Sequence, residues 1–323
     1  MNRSLLVAAL ATLAAGSSFA QSDITIYGRM NVSAERQTLK VPGLGSDSET
    51  DMTNNSSRIG FKGTEDLGGG LKAGFVIEHG LSPDTGAAGA PFWDRESTVN
   101  LSGNFGMVRL GNMPASVAYF ATADYVSMHN HDTGTSSDAL YSFVATGALK
   151  NAIAYTTPNF GGANFAIEYG LKEGATDSPI AMAVNFDQGP LHLGAGYEKL
   201  GTDKSLALRG LYEMGPFTFG GYYERGSGTN EVNNVRLAGM YTMGPSEFHA
   251  NFGVRGDTND VADTGAKQFT LGYNHNLSKR TKLYGYYTRL SNDAAATRGI
   301  GTTTPVAAGQ DPNAFAVGVR HNF

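Results

Sequence analysis

The chain has 323 residues, a formal net charge of −5, no cysteine and 43 glycines. Without thiols it builds neither a disulfide framework nor a thiolate metal site, and an acidic chain with no basic block is not suited to nucleic acid. Glycine well above its usual share of about 7% disfavours helix, while 15 Tyr and 17 Phe favour strands.

The first segment reads as a secretory leader. Arg3 is the only charge before Asp23, an apolar run follows from Leu5 to Ala15, and Ser18-Phe19-Ala20 supplies a small-x-small cleavage pattern. The run is too short to span a bilayer as a helix. Residues 1–20 are therefore expected to be removed before Gln21, leaving 21–323 as one exported unit. Losing Arg3 takes the net charge from −5 to −6.

Beyond the leader the pattern has period two. Ile24, Ile26, Met30, Val32 and Ala34 share one face, and Thr25, Tyr27, Arg29, Asn31 and Ser33 the other. The same alternation recurs in Phe165-Ile167-Tyr169, Leu191-Leu193-Ala195-Tyr197, Phe217-Phe219-Gly221-Tyr223, Phe248-Ala250-Phe252-Val254 and Phe269-Leu271-Tyr273. Such strands have one dry face and one wet face. Short turns at Gly189-Pro190, Gly215-Pro216 and Gly244-Pro245 alternate with longer polar segments at 226–233, 257–266 and 291–313.

That layout, with roughly sixteen alternating segments, is the meander of a transmembrane antiparallel β-barrel. The mean hydropathy of −0.24 does not exclude a membrane, because only alternate barrel residues face lipid. The final strand carries Phe315, Val317, Val319, His321 and Phe323 on one face.

One connection is out of scale. Between strands ending near Gly111 and beginning near Leu149 lie more than thirty residues, including a possible short helix over 115–121 and the polar residues Asp124, His129, His131, Asp132 and Asp138. A connection this long in a compact fold is usually functional or disordered. Folded inward, it would narrow a wide lumen. His129 and His131 could form half of a metal site, but only Asp132 accompanies them, so a polar loop is the better reading and no metal or cofactor is expected.

Several stretches resemble the Gram-negative general porins of β-proteobacteria, the neisserial and Comamonas-type group. The strongest is SRIGFKGTEDLGGGLKAGF over 57–75, similar to the family's second and third strands. STVNLSGNFGMVRLG over 97–111 resembles the fourth and fifth, and 155–162, 271–281 and 317–323 complete a match along the mature chain. The resemblance implies a sixteen-stranded, usually trimeric barrel with its third external loop folded into the pore. It also implies recognition of the last strand, ending in the aromatic Phe323, by the barrel assembly machinery.

The family further implies a ladder of wall arginines facing acids on the third loop. Arg58 sits at the first ladder position, on the wet face with Lys62. Arg95 matches the second, although simple alternation gives it the parity of Val99 and Leu101, which a bulge would reconcile. The third position is Ala148, and Lys150, two residues on, is its nearest substitute. Arg29, Arg58, Arg109 and Lys150 are thus candidate pore-lining cations, with Asp124 the candidate acidic partner. Rings of fixed charge select permeant ions by sign.

The functional expectation is an outer-membrane diffusion channel for small hydrophilic solutes and ions, with a mild anion preference. An outer-membrane barrel enzyme of lipase or protease type is the second class, and an adhesin or structural barrel the third. No G-x-S-x-G, H-E-x-x-H or phosphate-binding glycine loop occurs, and Gly68-Gly69-Gly70 lies in a hairpin turn with no helix after it. No catalytic residue is assigned.

Overall fold

A computed structural model describes residues 23–41, 45–126, 139–145, 149–174, 176–300 and 306–323. The leader at 1–20, the histidine pair at 129 and 131, and Ala148 lie outside the described residues. The strands are β1 (Asp23–Val41), β2 in two segments (Gly45–Asn54 and Arg58–Gly68), β3 (Leu71–Ser82), β4 (Glu96–Gly103) and β5 (Gly106–Asn112). After a long connection come β6 (Ala152–Thr156), β7 (Ala163–Gly170), β8 (Ile180–Gln188), β9 (Leu191–Leu200), β10 (Asp203–Met214) and β11 (Phe217–Ser227). The rest are β12 (Val232–Met243), β13 (Ser246–Arg255), β14 (Ala266–Asn276), β15 (Thr281–Asn292) and β16 (Asp311–Asn322). A two-residue piece, Ala87–Ala88, pairs back onto Leu81–Ser82 and is not a wall strand.

Each strand pairs antiparallel with its chain neighbour, and β1 closes on β16 from Arg29↔Asn322 to Lys40↔Asp311. Closure leaves no strand edge, so the wall amides pair with neighbouring strands or, where the ladder breaks, with side chains such as Ser57, whose Oγ accepts from the Asn31 amide at 2.9 Å, as a bilayer demands. β1 is long enough that its outer half pairs the first segment of β2 and its inner half the second. Between those segments Ser56 takes a positive φ of 58°, and Asn55 donates to Ser33 Oγ at 2.8 Å, which holds the interruption in place. The Gly-Pro turns form two-residue hairpins whose glycines, 189, 215 and 244, have φ of 57°, 58° and 57°, the left-handed start such turns favour.

The two faces of the sheet differ as the alternation requires. Outward, Ile24 is 67% exposed and Leu237 61%, an apolar band for lipid. Inward, Asn31, Ser33, Glu35 and Gln37 are almost fully buried, and Tyr284 and Tyr286 reach across from β15 to hydrogen-bond Asn31 and Glu35. Near the Gly-Pro turns the outward rings of Phe217 and Tyr241, and of Phe248 and Tyr273, lie 4.9 and 5.1 Å apart, part of an aromatic girdle.

Candidate functional site

The connection between β5 and β6 is packed against the polar, inward face of the wall. It begins with a helical turn, Val117–Tyr119, continued by a π-helical turn, Phe120–Asp124, so the helix expected at 115–121 is found slightly later. Ser116 starts it, its hydroxyl accepting from the Ala118 amide at 3.2 Å. The wall opposite is cut away to admit it. A Cβ on Gly196 would come within 2.7 Å of the Ala118 carbonyl oxygen, and one on Gly194 would meet that of Ala121. Alanines continue the notch: Met113 and Leu149 bury against Ala152, Ala154 and Ala181.

A row of wall carboxylates holds the connection, from the start of the helix to the return limb. Glu168 Oε2 accepts from the Val117 amide at 3.0 Å, Glu198 Oε2 from Val144 at 3.0 Å and Ala145 at 3.4 Å, and Glu224 Oε2 from Ser142 at 3.0 Å. Gln268 Oε1 takes the Ala139 amide at 2.7 Å, and Arg255 donates to the Leu140 carbonyl at 3.1 Å and Ser142 Oγ at 2.6 Å. Leu140 then closes a small core with Leu290, Ile300 and Ala314. The loop's irregular backbone would otherwise bury unsatisfied amides, so these side chains supply what secondary structure does not. Glu168, Glu198 and Glu224 escaped the sequence reading. Their signal was present: each is a solitary carboxylate on the wet parity of β7, β9 and β11.

A group of arginines, Arg29, Arg58, Arg95 and Arg109, gathers on the wall formed by β1 to β5. Arg29 and Arg58 stand directly opposite one another in the β1–β2 register. Glu78 on β3 lies 3.7 Å from Arg58 and 2.6 Å from Arg95. Arg95 reaches inward without a strand bulge: it precedes Glu96, the first paired residue of β4, so alternation does not govern it. Glu96 also turns inward, 3.5 Å from Arg109, which bridges to Glu168 at 3.5 Å and so ties this group to the foot of the loop. Lys150 is exposed just before β6 and joins none of these ion pairs, while neighbouring Leu149 is buried. The reason is local: Asn151 has a positive φ of 49°, which interrupts the alternation that linked Lys150 to the inner face. Asp124 is half-buried on the π-helical turn. Glu78, Glu96 and Glu168, which meet Arg58, Arg95 and Arg109, belong to the wall.

Tyr125 fixes the deep end of the helix. Its ring lies under the Arg209 guanidinium, 3.5 Å from the centroid, and its hydroxyl donates to Asp187 at 2.6 Å. His192 Nδ1 is 2.9 Å from the same carboxylate. Burial, reinforced by Asp187, pushes the Tyr125 phenol up to about 12, so it remains a donor across the physiological range. Among the described residues no group of three or more His, Cys, Asp and Glu side chains is arranged to hold a metal ion.

Comparison with known proteins follows the same lines. The Gram-negative porin family matches residues 6–295. Outer membrane porin protein 32 of Delftia acidovorans is 34% identical over an alignment of 359 positions that spans 100% of both chains. Major outer membrane protein P.IB of Neisseria lactamica is 28% identical, over 58% of this chain and 55% of its own. Among solved structures, the anion-selective porin from Comamonas acidovorans superposes with a TM-score of 0.80 at 30% identity, covering 94% of this chain and 100% of that one. OmpT of Vibrio cholerae, at 16% identity and a TM-score of 0.72, covers 94% of this chain and 98% of its own and shares the fold.

Proposed function

The chain belongs to the Gram-negative porins, diffusion channels of the outer membrane, and from that premise we propose that its passage favours anions and that it works as a trimer. As a channel it passes small hydrophilic solutes and ions and catalyses no reaction. The preference rests on how the lumenal charges are presented. The carboxylates paired with this arginine group are less exposed than their partners, the side chains of Glu168, Glu78 and Glu96 being 1%, 11% and 12% exposed, whereas Arg58, Arg109 and Arg95 are 18%, 20% and 29%. Arg29, Arg58 and Arg95 lie close together with Glu78 between the last two, so the surface offered to a passing ion is cationic. Screening confines each charge to roughly 8 Å at physiological salt, so the acids of distant external turns, such as Asp257 and Asp260, contribute little there. The anion-selective Comamonas structure is similar over the whole barrel and agrees with this reading.

Arg58→Ser is therefore expected to move the zero-current potential in a salt gradient toward cations. Ala148→Arg, which would supply a third ladder arginine, should move it toward anions. Shifts of the opposite sign in planar-bilayer recordings would contradict the proposed ladder.

Trimerisation is supported by the outward face of β1–β4. Glycine leaves a shallow recess of about 350 Å³ there, lined by Ile24, Gly63, Phe75 and Val99 together with Asp23 and Glu65, which side chains of a neighbouring barrel would fill. Residues 1–20 are proposed as a cleaved leader, and the strand ending in Phe323 as the segment recognised by the assembly machinery. Gently extracted protein should run as a trimer that falls to single chains on boiling, each beginning at Gln21. Single chains before heating, or another first residue, would overturn these assignments.

A further inference from the structure

The inner face of β2–β6 holds a cavity of about 710 Å³ at the short-turn end of the barrel, lined among others by Lys62, Lys72 and Arg109. Register fixes their arrangement. Thr64 pairs with Gly74, Gly74 with Asn100 and Asn100 with Arg109, so one level of the wall crosses four strands. Lys62 lies two residues from Thr64 on one side of that level, and Lys72 two residues from Gly74 on the other. At about 3.3 Å per residue the two lysines stand roughly 13 Å apart along the strands, close enough for both extended side chains to meet on one small solute.

The floor between them is Gly74 and the short side chain of Thr64 opposite it. A Cβ on Gly74 would lie 2.9 Å from the Gly63 carbonyl oxygen and 3.0 Å from the Asn100 amide group, so no side chain fits there and the Asn100 amide is left facing the space. Both lysines are exposed, and Lys62 is steered by the Tyr27 ring, 5.2 Å from its ammonium. The acids nearby are engaged elsewhere. Glu96, which lines the cavity, is 3.5 Å from Arg109, and Asp66, the cross-strand partner of Lys72, is turned toward the hairpin by the Gly68 amide at 2.8 Å; it keeps its charge but does not line the cavity. The charge of Arg109 is thus offset, and those of Lys62 and Lys72 are left to the solute.

We propose that this vestibule binds small dianions, solutes carrying two oxygen-borne negative charges, with Lys62 and Lys72 taking one charge each and Asn100 donating from the floor. The inference rests on the channel reading above and deepens it. The site would concentrate dianions on the short-turn side of the arginine group, where fixed charge focuses counter-ions.

The test uses refolded protein in planar bilayers, with sulfate or succinate titrated into the short-turn side during chloride conduction. In the native protein each probe should reduce the chloride current to a saturating limit. Each lysine-to-glutamine variant should raise the half-blocking concentration roughly tenfold, as loss of one charged hydrogen bond implies. The pair Lys62→Gln and Lys72→Gln should all but abolish saturation, and Lys62→Arg with Lys72→Arg should keep it. If the double glutamine variant does not fold, the two single variants carry the same reading. Equal half-blocking concentrations in native and glutamine proteins, or a current that never saturates, would overturn the site while leaving the channel intact. Absence of any current steps in chloride alone would instead refute the channel.

Discussion

Replacing Glu168, Glu198 and Glu224 together with alanine is expected to turn a steady pore into a noisy one of higher mean conductance, without preventing the barrel from forming. Each carboxylate is at most 1% exposed and accepts at least one amide of the connection between β5 and β6. Removing it leaves that amide buried without a partner, at a cost of about 1–3 kcal/mol for each. The strand ladder does not depend on these side chains, so the wall should close as before. The connection does depend on them, and losing three anchors lets it leave the wall and fluctuate. Single-channel recordings read the effect directly. The glutamine triple variant separates anchoring from charge, since each glutamine keeps one acceptor oxygen for the loop amide and removes the same negative charge. A quiet channel of unchanged conductance in the alanine variant would show that the loop is held in some other way.

Gly28→Val is expected to abolish the folded barrel, the largest effect of any single change proposed. Gly28 sits at the seam where β1 meets β16, exchanging backbone hydrogen bonds of 3.1 Å with Phe323 in both directions. A Cβ there would lie 2.5 Å from the Arg58 carbonyl oxygen and nearer still to the Phe323 ring. The ring could turn aside, but the carbonyl belongs to the neighbouring strand and cannot move without opening the sheet. Ordinary overpacking costs about 1–3 kcal/mol, and a backbone clash at the closing pair lies at or beyond the top of that range. Phe323→Ser is the milder form: it keeps the backbone pair, removes the ring that covers Gly28, and should lower the amount of folded protein in the outer membrane. The readout is the shift in gel mobility on heating, together with surface labelling in cells. A Gly28→Val protein with native mobility, or undiminished Phe323→Ser at the surface, would contradict this account of closure.

The barrel was legible because its signal is periodic and local. Alternation in segments such as Phe248–Val254 and Phe269–Tyr273 identifies strands, and the Gly-Pro pairs place their turns. The outer segment of β2, Gly45–Asn54, was missed for a physical reason: a run as polar as GSDSETDMTN has little strand preference, and it pairs only because β1 extends past it. The site was less legible. Arg58, Arg95 and Arg109 were named, and the structure brings them together through Glu78, Glu96 and Glu168. What sequence could not supply is the pairing across the lumen, because a wet-face glutamate such as Glu198 looks the same whether it meets water or a loop amide 53 residues away. Lys150 shows the converse failure, where one residue with positive φ defeats an inference from parity.

The central claim is an open channel whose exposed lumenal charge favours anions. It is tested most directly by the native protein in a planar bilayer under a potassium chloride gradient. Discrete current steps with a zero-current potential displaced toward the chloride equilibrium value are the expected result. Steps displaced toward the potassium value would show that the lumenal acids dominate, and no steps at all would contradict the channel itself.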